Sequence, residues 1–166
     1  MELAHDSLSR TATLRGGRNV VALTFAVVAA LGLAAGPVSA QESGGQVIAA
    51  DQAMQRAAAH ELVVVDVRSP EEWQQTGVPA GARLVTIHQP DGLIGFLEEM
   101  SEALGADHDQ PIALICASGN RSTLASSALA EAGYTQVYNI REGMLGSPDG
   151  PGWLARGLPT EPCGKC

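Results

Sequence analysis

Basic side chains are scarce in this chain: ten Lys and Arg stand against 18 Asp and Glu, for a formal net charge of −8. Such a balance argues against nucleic acid and against anionic membrane surfaces as partners. It also gives an anionic ligand no long-range steering, so attraction must come from a local site. Cysteine is sparse as well. Its three copies are Cys116, Cys163 and Cys166, and an odd number leaves at least one thiol unpaired within a monomer. No His, Cys and Asp residues recur at metal-ligand spacing, apart from Cys163-Gly164-Lys165-Cys166 alone, so neither a metal nor a cofactor is expected. Internal repeats are missing. There is a single long apolar run, and no adjacent Arg pair precedes it, which removes twin-arginine export from consideration.

That run extends from Val20 to Ala35, follows Arg10, Arg15 and Arg18, and is broken by Gly36-Pro37 before Val38-Ser39-Ala40. A basic start, an apolar centre and small residues at −3 and −1 are the pattern of an export signal cleaved after Ala40. An uncleaved anchor is the competing reading, since roughly sixteen apolar residues approach the lower limit for a span. Gly-Pro and the small-residue site favour cleavage, a periplasmic or secreted product, and no lasting membrane insertion. Residues 1–40 hold three Arg, one Glu and one Asp, so the remainder carries 16 acidic against 7 basic residues. It divides into a polar leader (41–45), one domain (46–160) and a short tail (161–166) with the Cys-x-x-Cys pair. An exported chain meets an oxidising compartment.

Along the domain, Val47-Ile48 reads as a short strand, and Asp51 as the cap of a helix through Ala58. Leu62–Val65 is a continuous aliphatic run, as in a strand buried on both faces of a parallel sheet. Asp66-Val67-Arg68 follows it. Ser69, Pro70 and the acids Glu71 and Glu72 open a short helix. Thr76–Ala82 is turn-rich and Leu84–Ile87 a strand. Asp91 caps a helix whose apolar members are Leu93, Ile94, Leu97, Met100 and Leu104, closed by Gly105. Pro111–Ile115 is the next strand, a helix ending at Gly133 follows, and Val137–Ile140 is the last strand. From Arg141 onward Gly and Pro dominate, with Trp153-Leu154 as anchor. Strands alternating with helices predict an α/β fold with a mostly parallel sheet covered on both faces. Ligands of such sheets bind beyond the carboxyl ends of the strands, where Asp66 and Cys116 both fall.

Cys116 opens the loop Cys116-Ala117-Ser118-Gly119-Asn120-Arg121 between a strand and a helix. Free amides and the helix dipole favour an anion there. With Arg121 nearby they favour the thiolate, the nucleophilic form of cysteine. Gly119 allows successive amides to turn inward as an anion-binding nest. Arg121 stands at a helix start, where a cation is disfavoured, which points to substrate or loop binding. Ser122 reads as a helix cap. Asp66 beside a thiolate would hinder it, so Asp66 and Arg68 are read as a supporting ion pair, and Glu71 and Glu72 as acids placed for their helix dipole. The bland role for Cys116 is a small buried hydrophobe. None of His60, His88 and His108 is near Cys116 in sequence, so no Cys–His dyad is indicated. The terminal pair, Cys163 and Cys166, reads either as a stable disulfide or as a redox pair. In the second case its thiols reach Cys116 to receive sulfur or resolve an oxidised intermediate.

These pieces resemble the rhodanese family of single-domain sulfurtransferases. The matching segments are Asp66-Val67-Arg68, Glu71-Glu72-Trp73, Gly77 through Ala82, Cys116 through Ser122, Asn139-Ile140 with Gly143-Met144, and Gly152-Trp153 with Gly157-Leu158-Pro159. The resemblance implies a five-stranded, mostly parallel sheet with helices on both faces. It also implies a ping-pong reaction in which Cys116 takes the outer sulfur of a small anionic donor such as thiosulfate. The resulting persulfide would pass sulfur to cyanide or a thiol, a protein acceptor included. Ala117, Ser118, Gly119, Asn120 and Arg121 would form the cradle, with Arg121 orienting the donor. The family's Gly-His-Ile-Pro-Gly-Ala is here Gly77-Val78-Pro79-Ala80-Gly81-Ala82, Leu145–Pro151 is an insertion expected to cover the rim, and the terminal Cys pair is an addition. Two rivals are a persulfide carrier or partner-binding module and a cysteine phosphatase or arsenate reductase. The latter place five residues between Cys and Arg, where this chain has four between Cys116 and Arg121.

Overall fold

The computed structural model describes residues 45–164 and Cys166. The expected export segment and leader residues 41–44 lie outside the described residues. Two aliphatic runs set the centre of the sheet: β2 (Val63–Asp66) and β5 (Ile112–Ile115), in parallel register with Val63 opposite Ile112 and Asp66 opposite Ile115. β6 (Val137–Ile140) and β1 (Gln46–Val47) extend the sheet on one side and β4 (Arg83–Leu84) on the other, giving the parallel order β1-β6-β5-β2-β4. Four helices connect them: α1 (Ala50–Ala58), α2 (Pro70–Thr76), α3 (Gly92–Leu104) and α4 (Asn120–Glu131). The mostly parallel α/β sheet is the one the alternation of strands and helices predicts, and its five strands are those the family resemblance implies.

Alternation along the strands makes two cores. Val65, Val67, Ile112, Leu114 and Cys116 point to one face, where Phe96 and Met100 of α3 and Ala125 and Leu129 of α4 cover them. Val64, Ala113 and Ile115 point to the other, against Ala50 and Ala53 of α1, Met144 and Trp153. Cys116 thus continues the two-residue period of β5, and for that reason it is buried.

Local signals hold where the determinant is local. Ser69 caps α2 by accepting the Glu72 amide, Glu72 returns a carboxylate to the Ser69 amide, and Pro70 begins the helix. Trp153 is buried as the anchor of the last segment and donates its indole N–H to the Pro159 carbonyl at 2.9 Å.

Elsewhere distant partners decide. Asp51 does not cap α1: the helix starts at Ala50, whose amide donates 2.8 Å to the buried carboxylate of Glu142, 92 residues away. Of the expected apolar stripe of α3, Met100 is buried and Leu97 and Leu104 pack against the core, but Leu93 and Ile94 stand exposed and Phe96, outside the stripe, takes their place. The strand around Leu84 has two residues, although amides of Val85 and Ile87 continue to donate to carbonyls of Asp66 and Val67. Within the turn-rich loop, β3 (Val78–Pro79) pairs antiparallel with β7 (Thr160–Glu161). Two residues, one of them Pro, carry no periodic signal.

Asp66 and Arg68 form the expected ion pair, both almost wholly buried. The Arg68 Nη2 donates to Asp66 Oδ2 at 2.6 Å and to the Gly77 carbonyl at 2.8 Å, and its Nη1 donates to Thr76 Oγ1 at 2.7 Å. The pair therefore fastens the carboxyl end of β2 to the end of α2. Arg68→Met would leave the Asp66 carboxylate buried without its cation, a loss of about 3–5 kcal/mol. Urea unfolding is expected to show this as a lowered midpoint, and Asp66→Leu combined with Arg68→Met should recover most of it.

Candidate functional site

At the end of β5 the chain must leave the sheet, and the turn is made by Gly119 with φ 94°, immediately before α4. This left-handed conformation suits glycine. Space demands it too, because a Cβ at Gly119 would overlap the carbonyl oxygen of Arg141. The Gly119 carbonyl accepts from the Ser122 hydroxyl at 3.0 Å, the Thr123 hydroxyl at 2.7 Å and the Thr123 amide at 3.0 Å. Asn139 of β6 in turn donates to the Thr123 hydroxyl at 2.8 Å. So fixed, the turn aims the Gly119 amide at Cys116, and it donates to Sγ at 3.2 Å.

A second segment seals the loop from below. The Met144 amide donates to the Cys116 carbonyl at 2.8 Å and the Leu145 amide to the Ala117 carbonyl at 2.9 Å. Gly143, at φ 67°, lies so close that a Cβ would overlap the backbone of Ala117 and Ser118. The root of the insertion Leu145–Pro151 is therefore the floor of the loop. Ser147 and Gly150 close a tight antiparallel bridge within it.

The thiol of Cys116 is free and the residue is 1% exposed. One side packs in the core with Val67 and Leu114, and the other meets the Gly119 amide. Above it Ser118 and Asn120 are exposed and Ala117 half-buried. Ser122 is not the helix cap, since α4 begins two residues earlier at Asn120. Its buried hydroxyl lies 3.6 Å from Sγ and is placed to accept from the thiol while donating to Gly119. Asp66 and Arg68, registered beside Ile115, support the neighbouring strand end without touching Sγ.

Arg121 is held by a residue that sequence reasoning assigned only to a helix dipole. Its Nη1 and Nη2 donate to the two carboxylate oxygens of Glu72 at 2.6 Å each. This bidentate clasp joins α4 to α2 across 49 positions. The Arg121 hydrogen bonds draw the Glu72 carboxyl down to about 2 despite partial burial. Glu72 likewise holds Arg121 more firmly protonated, with smaller contributions from Cys116 and Asp66. His88 Nε2 lies 3.4 Å from Arg121 Nη1 at the rim, a neighbour of the arginine and not of the thiol. Of the expected cradle residues, Gly119 meets Sγ through its amide, while Ser118 and Asn120 are exposed and Arg121 is held by Glu72. The omitted participants are Glu72, Thr123, Asn139 and His88.

A cysteine on a strand-to-helix loop, at the carboxyl edge of a five-stranded parallel sheet with helices on both faces, defines a recognisable class of α/β domain. Residues 49–146 match the rhodanese-like domain, and the chain belongs to that family. It is 33% identical over 100 residues to an uncharacterized protein of Rickettsia prowazekii, covering 59% of this chain and 81% of that protein. It is 32% identical over 99 residues to a sulfurtransferase of Allochromatium vinosum, covering 60% and 78%. Among solved structures, the polysulfide-sulfur transferase of Wolinella succinogenes superposes with a TM-score of 0.57 at 23% identity, over 75% of this chain and 84% of that one. That last likeness is one of fold.

Two outcomes follow from the loop and its clasp. Gly119→Ala should cost about 1–3 kcal/mol in backbone strain alone, and more from overlap with Arg141, read as a lowered midpoint in urea unfolding. Because the Glu72 carboxyl is lowered on folding, the clasp stabilises fully above its ordinary range near 4.5 and is lost as pH falls toward about 2. Glu72→Gln keeps an acceptor for the Ser69 amide but not the charge. Its unfolding free energy should fall less steeply than that of the wild type between those pH values.

Proposed function

We propose that the protein is a sulfurtransferase that works through a persulfide on Cys116. The observation that carries this reading is the placement of Cys116 Sγ under the Gly119 amide, at the amino end of the twelve-residue helix α4. The first amides of a helix have no partner within it and carry roughly half a positive charge. An ionised sulfur at the floor of that turn is stabilised by donors fixed in advance, as is a second sulfur attached to it.

The thiolate of Cys116 attacks the outer sulfur of a donor such as thiosulfate. A new S–S bond forms on Cys116, the donor's own S–S bond breaks, and sulfite leaves with its electron pair. Cyanide or an acceptor thiolate then attacks the outer sulfur and returns Cys116 as thiolate. Ala117, Ser118, Gly119 and Asn120 line the turn around the persulfide. Arg121, with both terminal nitrogens already engaged by Glu72, fixes the loop and offers its remaining N–H groups to the anionic end of the donor. The enclosed thiol suits a slender terminal sulfur. Four residues between Cys116 and Arg121 make a shorter cradle than the five of the phosphatase pattern. The basic and apolar segment ending at Ala40 supports action outside the cytoplasm, after cleavage.

Intact mass spectrometry of the reduced protein after thiosulfate tests the reaction when terminal thiols are absent. In Cys163→Ser, Cys166→Ser, a gain of about 32 Da for one sulfur is expected, lost on adding cyanide. Adding Cys116→Ser should abolish it. Phosphate release from an aryl phosphate with no sulfur adduct would overturn the reading.

A further inference from the structure

Cys163 and Cys166 take no part in the reaction above, and the fold does not need them. They form a disulfide with their Cα atoms 5.8 Å apart and three positions apart in sequence. A ring so small joins no separate elements, and disulfide stabilisation grows with the length of loop closed. Their position is more informative than their bond. The tail is rooted at β7, where Glu161 pairs with Val78. Beyond it, Gln74 of α2 donates its side-chain amide to the Cys166 carbonyl at 3.1 Å. Gln74 is two positions from Glu72, which clasps Arg121. Residues two apart do not share a helix face, so the Cys166 end of the pair is held on α2 but on a different side from the Glu72 clasp to the Cys116 loop.

The root of the tail is tied to the end of the strand beside the thiol. Val67 lies beside Cys116, its amide donating to the Ile115 carbonyl. Arg68 follows, and its guanidinium holds the Gly77 carbonyl at 2.8 Å, next to the Val78–Glu161 pair. Arg68 alternates to the face opposite Val67 and Cys116, so a tail thiol meets Cys116 only by passing round the carboxyl edge of the sheet. The five residues 162–166 can extend roughly 17 Å.

We propose that the reduced Cys163–Cys166 pair is a built-in acceptor that removes sulfur from Cys116 as hydrogen sulfide. The inference rests on the Cys116 persulfide reading. A tail thiolate attacks the outer sulfur of that persulfide, which frees the Cys116 thiolate and leaves a persulfide on the tail. The second tail thiolate attacks the inner sulfur, closes the Cys163–Cys166 disulfide and expels hydrosulfide. The dithiol loses two electrons and two protons, and the sulfane sulfur gains them. An external dithiol, such as dithiothreitol or a reduced protein dithiol, reopens the disulfide by exchange for another cycle. The closed pair seen on α2 is the product state of that step.

The full chain, reduced and freed of reductant, is given one equivalent of thiosulfate, and sulfide and intact mass are followed. The wild type should release one equivalent of sulfide and end about 2 Da below the reduced chain, with the new disulfide. Its first-order rate should not change with protein concentration. Cys163→Ser, Cys166→Ser should retain the sulfur adduct and release no sulfide. If the wild type keeps its adduct as the variant does, if the variant releases sulfide equally well, or if the rate rises with concentration, the built-in acceptor is overturned while the Cys116 reading stands. No adduct on the double variant overturns both.

Discussion

Two stretches of backbone touch at the centre of this site, and the rest is arranged around their contact. The turn after β5 rests on the segment Arg141–Leu145 so closely that neither Gly119 nor Gly143 has room for a side chain. Hydrogen bonds from Met144 and Leu145 lock the two segments together. The contact sets the direction of the Gly119 peptide, and with it the amide that faces Sγ. It also ties the loop to the second core through Met144 and Trp153. The sulfur site is consequently held from both faces of the sheet, by α4 on one and by the glycine-rich segment on the other.

Around that rigid turn the ionic contacts divide into two kinds. The Asp66–Arg68 pair is buried, internal to one strand end and committed to Thr76 and Gly77. The Glu72–Arg121 pair is about a quarter exposed on each side and bridges two helices. Breaking a buried pair strands a charge in the interior, which costs several kcal/mol. Opening a partly exposed one hands both charges to water at far lower cost. The first pair therefore serves as scaffold, and the second can open without unfolding the domain.

The parts legible in the sequence are those whose cause lies within a few residues. The aliphatic runs at Leu62–Val65 and Pro111–Ile115, the Ser69–Glu72 box and the strand-thiol-glycine-helix order around Cys116 all read directly from the chain. The family resemblance added the order of the remaining pieces. What stayed hidden was set by partners far away in sequence. Glu72 already had a sufficient local explanation at its helix start, which concealed its second partner 49 positions on. Glu142 caps α1 from across the domain while Asp51, the better local candidate, is bypassed. Leu93 and Ile94 fit a helical stripe, but α3 turns Phe96 and Met100 to the sheet. Periodicity places residues on a face without saying where the neighbouring element ends.

Charge magnitudes bear on how an acidic chain can hold an anion. At physiological salt the screening length is about 8 Å, so the scattered surface carboxylates add little repulsion inside an enclosed turn. Arg121 adds little attraction either, because Glu72 cancels its unit charge at 2.6 Å. The field left at Sγ comes from the helix end, worth roughly half a charge, and from the Gly119 amide. Both act over a few ångströms. On the proposed reading, selectivity then depends on whether a donor can bring its terminal sulfur to the floor of the turn, because the anion's charge is felt only once it is there. On the further proposal, an acceptor tethered at β7 avoids that long-range deficit. Tethering replaces electrostatic attraction with effective concentration, the larger effect when the linker spans the distance.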